Sequence, residues 1–331
     1  MGSPTKPLTD KVGKADFSER ARRPATSDEQ KRRAPGIGPR RRNEMNRRMT
    51  RRLLGLLVMA FVPFTLFATS PVEELRKAIL VVYYGTSEDE PRASALDATT
   101  ERVRKAFPQY EVRDAFTQKS AIAALKRRTG IVKPTVAEAM AQLRKDGYNS
   151  IIVGNCEMIE GNDTKTLEGK LDRMTDDFYM IKCTKPLLYT LDDCRQVIDI
   201  VLKHADVQED EQAVLVGHGR DGAANDVYCL VDYILQHEGH TNCHVGTISG
   251  YPSLENIKEI LRQTGSRKVV LVPLIIANAG HATKDIYKTW RASLEEEGYE
   301  VRLVRKAVCD YPEAQQLIVD KIKETDEDPE K

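Results

Sequence analysis

Val269-Val270-Leu271-Val272-Pro273-Leu274-Ile275-Ile276-Ala277-Asn278-Ala279-Gly280-His281 is the stretch whose reading decides the fold. A short apolar run rich in Val and Ile reads as a buried strand of a parallel sheet. It ends in small residues and a histidine, and residues 282–297 then have helical composition and spacing. A titratable group therefore stands where a buried strand gives way to a helix, the edge at which open α/β sheets bind ligands. Ala213-Val214-Leu215-Val216-Gly217-His218-Gly219 has the same form.

Working outward, strands are expected at 78–84, 110–115, 150–153, 179–183, 213–216, 244–248, 268–276 and 301–304. Helices are expected at 88–107, 120–128, 136–145, 164–176, 192–204, 223–236, 254–263, 282–297 and 312–323. Alternating strands and helices mean an α/β fold with parallel sheets. The order also repeats. The strand before Gly85-Thr86-Ser87 answers the strand before Gly217-His218-Gly219. The strand before the Glu157–Asp163 loop answers the strand before His281. Two similar domains, 71–190 and 191–331, related by a pseudo-twofold and facing each other across a cleft, are expected.

Charge separates the chain differently. The net charge of +1 hides a first 52 residues with 16 basic and 6 acidic side chains, and a remainder with 35 basic and 44 acidic. An acidic body argues against a nucleic-acid partner. Residues 1–52 have few apolar side chains and read as a disordered basic leader. From Leu53 to Phe67 run 15 residues without a charge, after Arg51 and Arg52 and before Ala68-Thr69-Ser70. This is the pattern of a signal peptide over 53–70, with export to the periplasm as its consequence. The run is short for a membrane span, and Pro63 interrupts it; an uncleaved N-terminal anchor is the alternative. Signal peptides begin near a start codon, so Met45 or Met49 competes with Met1 as the true start.

The chemistry lies in the histidines and carboxylates. His218 sits between two glycines, which let the backbone turn sharply beside a ligand. His281 has the equivalent placement in the second stretch. Two imidazoles plus a carboxylate suit a divalent transition metal, and Glu157, Glu160 and Asp163 stand at the matching edge of the first half. Each could instead be solvated loop charge. His237, His240 and His244 fall in a polar segment that reads as a solvated loop, with metal binding as the alternative. Ser249 and Tyr251 lie at another strand end, and Gly85-Thr86-Ser87 could cradle an anion. No GxxxxGK[ST] or GxGxxG is present, so no nucleotide is expected. Nor is there a GxSxG. The six cysteines form no CxxC pair, which disfavours a zinc or iron–sulfur site.

Together these motifs resemble the class II tetrapyrrole chelatases. They are strand–Gly-Thr-Ser, strand–Gly-His-Gly, Tyr-Pro after a strand, and Pro-Leu-Ile-Ile-Ala-Asn-Ala-Gly-His. The resemblance is greatest to the anaerobic cobalt chelatase (CbiK) type and covers about residues 77–325. It implies two flavodoxin-like domains with the macrocycle between them. It also implies ATP-independent insertion of Co²⁺, with Fe²⁺ or Ni²⁺ in relatives, into sirohydrochlorin, as in cobalamin biosynthesis, and a homo-oligomer.

By motif, His218 and His281 match the family's metal-site histidines, acting as catalytic groups and ligands. Asp163 falls where the family has an acid, usually Glu, and Glu157 where many members have His. The family commonly has Glu two residues before the Tyr-Pro, where this chain has Ser249. The acid of the site is then expected from the first half, Glu157 or Asp163. Gly85, Thr86, Ser87, Gly217, Gly219, Ser249 and Tyr251 are expected to line the substrate. Competing readings are an exported haem- or tetrapyrrole-binding protein, one that removes metal, and a periplasmic metal-binding protein.

Overall fold

The computed structural model describes residues 74–280 and 282–328. The basic leader, the apolar run over 53–70 and His281 lie outside the described residues.

Two four-stranded parallel sheets form the body. Strands β1 (Lys77–Tyr83), β2 (Glu111–Phe116), β3 (Ser150–Asn155) and β4 (Met180–Cys183) pair in the order β2-β1-β3-β4. Strands β5 (Glu211–Gly217), β6 (Cys243–Thr247), β7 (Lys268–Leu274) and β8 (Glu300–Leu303) repeat that order as β6-β5-β7-β8. The expected repeat is thus a repeat of topology, and the fold is of the two-sheet α/β type. The central strands are buried on both faces, which is why they read as unbroken apolar runs. Pro273 is tolerated inside β7 because β8 ends opposite Leu271, so no ladder bond is lost on that side.

The helices sort by face. After β1 a continuous helix, α1, covers 89–106, with a π-helical segment at Arg92–Asp97. Helices α2 (Lys119–Thr129), α3 (Val136–Lys145) and α4 (Asn162–Leu171) follow in the first half. The second half holds α5 (Leu191–Ala205), α6 (Asp226–His237), α7 (Leu254–Thr264), α8 over 282–296 and α9 (Pro312–Glu327). Local sequence sets their ends. Thr135 with Glu138, Thr190 with Asp193 and Ser253 with Asn256 form capping boxes. Pro312 opens α9 at its first turn. Helix α8 differs from expectation in being π-helical over Ala282–Trp290 before Arg291–Glu296 continues as α-helix.

Successive strand residues face opposite sides. Ile79, Val81 and Tyr83 of sheet one share a core with Leu215, Val270 and Val272 of sheet two. Helices α1, α5, α6 and α9 contribute Val103, Val201, Val231 and Ile318 to that middle layer. The outer face of sheet one is covered by α3 and α4 through Met140 and Leu167. That of sheet two is covered by α7 and α8 through Ile257 and Trp290. Both sheets belong to one compact unit.

The last helix of the half expected as a second domain, 191–331, packs on sheet one. Helix α9 crosses back to sheet one, where Asp326 pairs with Lys77 at 2.5 Å and accepts a bond from Tyr110 at 2.9 Å. Lys182 donates to the Thr325 carbonyl at 3.2 Å. The physical reason is the inner face of sheet one: its β3 carries Gly154, and Ile322 fills the space. All six cysteines are free thiols, Cys183 and Cys194 among them. Among the described residues no helix is long and apolar enough to cross a membrane.

Candidate active site

Because the strands within each sheet are parallel, each sheet gathers the loops that follow its strands at one carboxyl edge. The β5 end carries the first element. Gly219 adopts φ +70°, a left-handed conformation, and a Cβ there would lie 2.5 Å from Thr247 Cβ. Only glycine allows the turn. His218 is thereby left exposed, its Nδ1 2.9 Å from the Gly219 carbonyl. The β6 end packs beside it: Ile248 N donates to Gly217 O at 3.0 Å and Ser249 N to His218 O at 2.8 Å. Ser249 and Tyr251 are exposed there, before a cis Tyr251–Pro252 bond.

The first half contributes the β3 end. Cys156 N bonds Val82 O at 2.9 Å, and Leu187 N bonds Glu157 O at 3.0 Å, so the linker to α5 holds this loop. Glu157 is half-buried. Burial first, and the Asp163 carboxylate second, push its carboxyl up to about 8. Asp163 itself is exposed in the first turn of α4. Glu160 is drawn into an ion pair with Lys185 at 3.3 Å. At the β1 end, Thr86 is buried, and its Oγ1 accepts from Glu88 N at 3.1 Å, while Gly85 and Ser87 are half-buried.

The two halves meet at this edge. A Cβ on Gly161 would lie 2.1 Å from Arg220 Nη1, so the loop after His218 lies directly on the loop after Glu157. A Cβ on Gly280 would come 3.7 Å from Glu88 Oε1, which brings the residue before His281 beside the loop after β1. Burial pushes the Tyr228 phenol up to about 12, against the backbone N–H groups of Gly219 and His218 that it faces; Glu157 adds a smaller push. The loops after β3 and β5 therefore touch, the loop after β6 lies beside that after β5, and the loop after β1 meets the segment after β7. Among the described residues no three His, Cys, Asp or Glu side chains stand close enough to hold a metal. His218, Glu157 and Asp163 do not form a closed ligand set among the described residues.

His244 and His237 are held by contacts outside this edge. His244 lies buried within β6, its Nε2 3.2 Å from Gln212 Oε1, and burial lowers its pKa. His237 is on α6 and stacks on Tyr233, so these two do not share a loop. Residues missed from sequence are Arg220, Tyr84 and Tyr228. The signal for Arg220 was its position directly after Gly-His-Gly. Tyr84 is exposed and accepts a bond from Gln118 at 2.8 Å. Tyr228 packs on Gly217, a contact that the spacing of residues does not signal.

The chain is similar to proteins of known activity and structure. Sirohydrochlorin cobaltochelatase of Salmonella typhimurium is 25% identical over 213 residues, 64% of this chain and 80% of that protein. Sirohydrochlorin cobaltochelatase CbiKC of Nitratidesulfovibrio vulgaris is 29% identical over 248 residues, 71% of this chain and 86% of that protein. Among solved structures, SirB from Bacillus subtilis with Fe3+ superposes with a TM-score of 0.56 at 16% identity, covering 76% of this chain and 96% of that one. The sirohydrochlorin chelatase SirB from Bacillus subtilis subspecies spizizenii in complex with cobalt gives 0.56 at 17% identity, covering 77% and 97%. At these identities the structural likeness speaks to the fold. The model of the cobalt chelatase (CbiK) family matches residues 77–327, both sheets and the crossing helix included, and the chain belongs to that family.

Proposed function

We propose that the chain inserts a divalent metal, Co²⁺ in the first place, into sirohydrochlorin or a closely related tetrapyrrole without nucleotide. The observation that carries this is the contact of the His218 loop with the Glu157–Asp163 loop at the carboxyl edges of the two sheets, in a chain of the cobalt chelatase family. The metal is a substrate here. As it enters the ring, the pyrrole N–H protons must leave. An imidazole can accept a proton or hold the cation. His218 takes that role, and His281, after the β7 loop, is its partner. Glu157 and Asp163 draw the cation to the edge and orient the imidazoles.

The test is absorbance of sirohydrochlorin mixed with Co²⁺ and the purified protein. Catalytic metallation by the wild type, lost in His218→Ala and in His281→Ala, is expected. Full activity in both variants would sink the assignment. Fe²⁺ and Ni²⁺ in the same assay rank the metals.

A second reading has a specific observation behind it. Ser249 stands beside His218 where the family resemblance places a Glu, and the Leu53–Phe67 run suggests export. An exported protein that carries haem or a tetrapyrrole, or removes its metal, would give a stoichiometric spectral shift with haem and no turnover with Co²⁺. Periplasmic placement is part of both readings; cell fractionation and N-terminal sequencing of the mature protein test it.

A further inference from the structure

We propose that Arg220 anchors a carboxylate on the rim of the tetrapyrrole, so that the loop presenting His218 also reads the acidity of the substrate. The inference deepens the chelatase reading above and rests on it. Arg220 lies two residues beyond His218. Its backbone is held by the second half: N–H donates to Asn225 Oδ1 at 3.1 Å. A Cβ on Gly250 would lie 2.9 Å from Arg220 N. The side chain then runs to the first half, where Nη1 and Cδ come 2.1 Å and 3.5 Å from the place a Gly161 Cβ would take. A side chain at Gly161 would push the guanidinium away.

What that guanidinium lacks is an anion. Arg220 is half-buried, and among the described residues neither a carboxylate nor a carbonyl accepts from its side chain. Other arginines are answered: Arg302 by Glu211 at 2.6 Å, Arg113 by Asp146 at 2.7 Å, Arg195 by Glu238 at 2.6 Å. A partly desolvated cation without a counter-charge is costly and persists where a ligand completes it. A planar guanidinium fork matches a carboxylate in two hydrogen bonds. Sirohydrochlorin is a flat ring edged with acetate and propionate arms, so a carboxylate is the group its rim would offer at this edge.

The experiment is equilibrium titration of metal-free sirohydrochlorin, and of mesoporphyrin with its fewer carboxylate arms, into wild type, Arg220→Ala and Arg220→Lys. Thermal unfolding controls for the fold. Losing a charge-assisted pair should weaken sirohydrochlorin binding about tenfold to a hundredfold in Arg220→Ala. The KM for the tetrapyrrole should rise with it and kcat should hold, the mark of lost ground-state binding. Arg220→Lys should recover part of the loss. Added salt should weaken the wild type more than Arg220→Ala, a response that a merely structural residue would not give. Equal sirohydrochlorin affinity in wild type and Arg220→Ala overturns the proposal while leaving the chelatase reading standing. So does a loss confined to kcat. A wild type that binds neither ring sinks the chelatase reading, and Arg220's role with it.

Discussion

Tyr228 occupies the space that a side chain at Gly217 would need: a Cβ there would lie 2.2 Å from Tyr228 Cε1 and 2.7 Å from Cζ. The glycine before His218 thus serves packing as much as turning. Gly217→Ala must displace a fully buried ring, and overpacking of this kind costs about 1–3 kcal/mol. Since the ring also faces the backbone of His218 and Gly219, the histidine should shift with it. We expect a lower urea midpoint and at least about tenfold slower cobalt insertion, as small misplacements of reacting groups are costly. Adding Tyr228→Leu should restore part of both, since the two sites share one space. A single variant that matches wild type in midpoint and rate would refute the close contact.

Glu211 and Arg302 give the stability a pH dependence. The Arg302 hydrogen bonds hold the Glu211 carboxyl below its ordinary 4.5, outweighing burial, which raises it. The folded state therefore releases this proton more readily than the unfolded chain. The stabilisation is present above the ordinary value and is lost as pH falls through the lowered folded value. Glu211→Gln removes charge-assisted bonds at 2.8 Å and 2.6 Å and should cost about 1–3 kcal/mol at pH 7. The gap to wild type should narrow as pH falls below 4.5 and close once pH passes the lowered folded value. Urea unfolding at stepped pH measures it, and a gap independent of pH would contradict the pairing.

The places where sequence spoke clearly share a physical cause. Residues Ala78–Tyr83, Ile151–Val153 and Val269–Leu274 are buried on both sheet faces, so their apolar runs are unambiguous. Helix α3 was bounded by Thr135 and by the stop at Gly147, both local signals. His218, Glu157 and Ser249 could be placed at an edge because parallel strands put the carboxyl ends of each sheet together. What could not be read is what depends on distant residues. Ile322 packing on Gly154, and Arg220 lying on Gly161, are contacts between chain segments far apart, and neither leaves a periodic trace. The π-helical turns at Arg92–Asp97 and Ala282–Trp290 keep an apolar spacing close to that of an α-helix, so pattern alone does not separate them.

The crossing helix should couple the two halves in folding. Ile322 is fully buried, its Cδ1 2.9 Å from the place of a Gly154 Cβ on β3. Ile322→Ala removes that packing and should cost about 2–5 kcal/mol. Because both sheets share one core, the loss should appear as one shifted cooperative transition. Urea unfolding followed by far-ultraviolet circular dichroism reads this. A variant that unfolds in two steps, with the later step at the wild-type midpoint, would show that α9 stabilises only the half it packs on.

Ser249 allows the acid of the site to be moved. Its backbone N–H donates to the His218 carbonyl at 2.8 Å and its side chain is exposed at the same edge. A Glu here would stand beside His218, where the family resemblance places one, and would add a negative charge to an edge that already carries Asp163. At a solvated edge the attraction between a carboxylate and a cation some 4 Å away is about 1–4 kcal/mol per unit of cation charge before the costs of desolvation and ordering. Ser249→Glu should therefore lower the KM for Co²⁺ by about fivefold or more. The KM for the tetrapyrrole should rise or stay level, because an acidic rim gains nothing from another carboxylate. Ser249→Gln, with the same length and no charge, should leave the metal KM close to wild type. Initial rates at varied Co²⁺ decide the matter: if the Glu and Gln variants behave alike, the edge beside His218 is not where the cation passes, and the first-half loop with Glu157 and Asp163 would have to guide it alone.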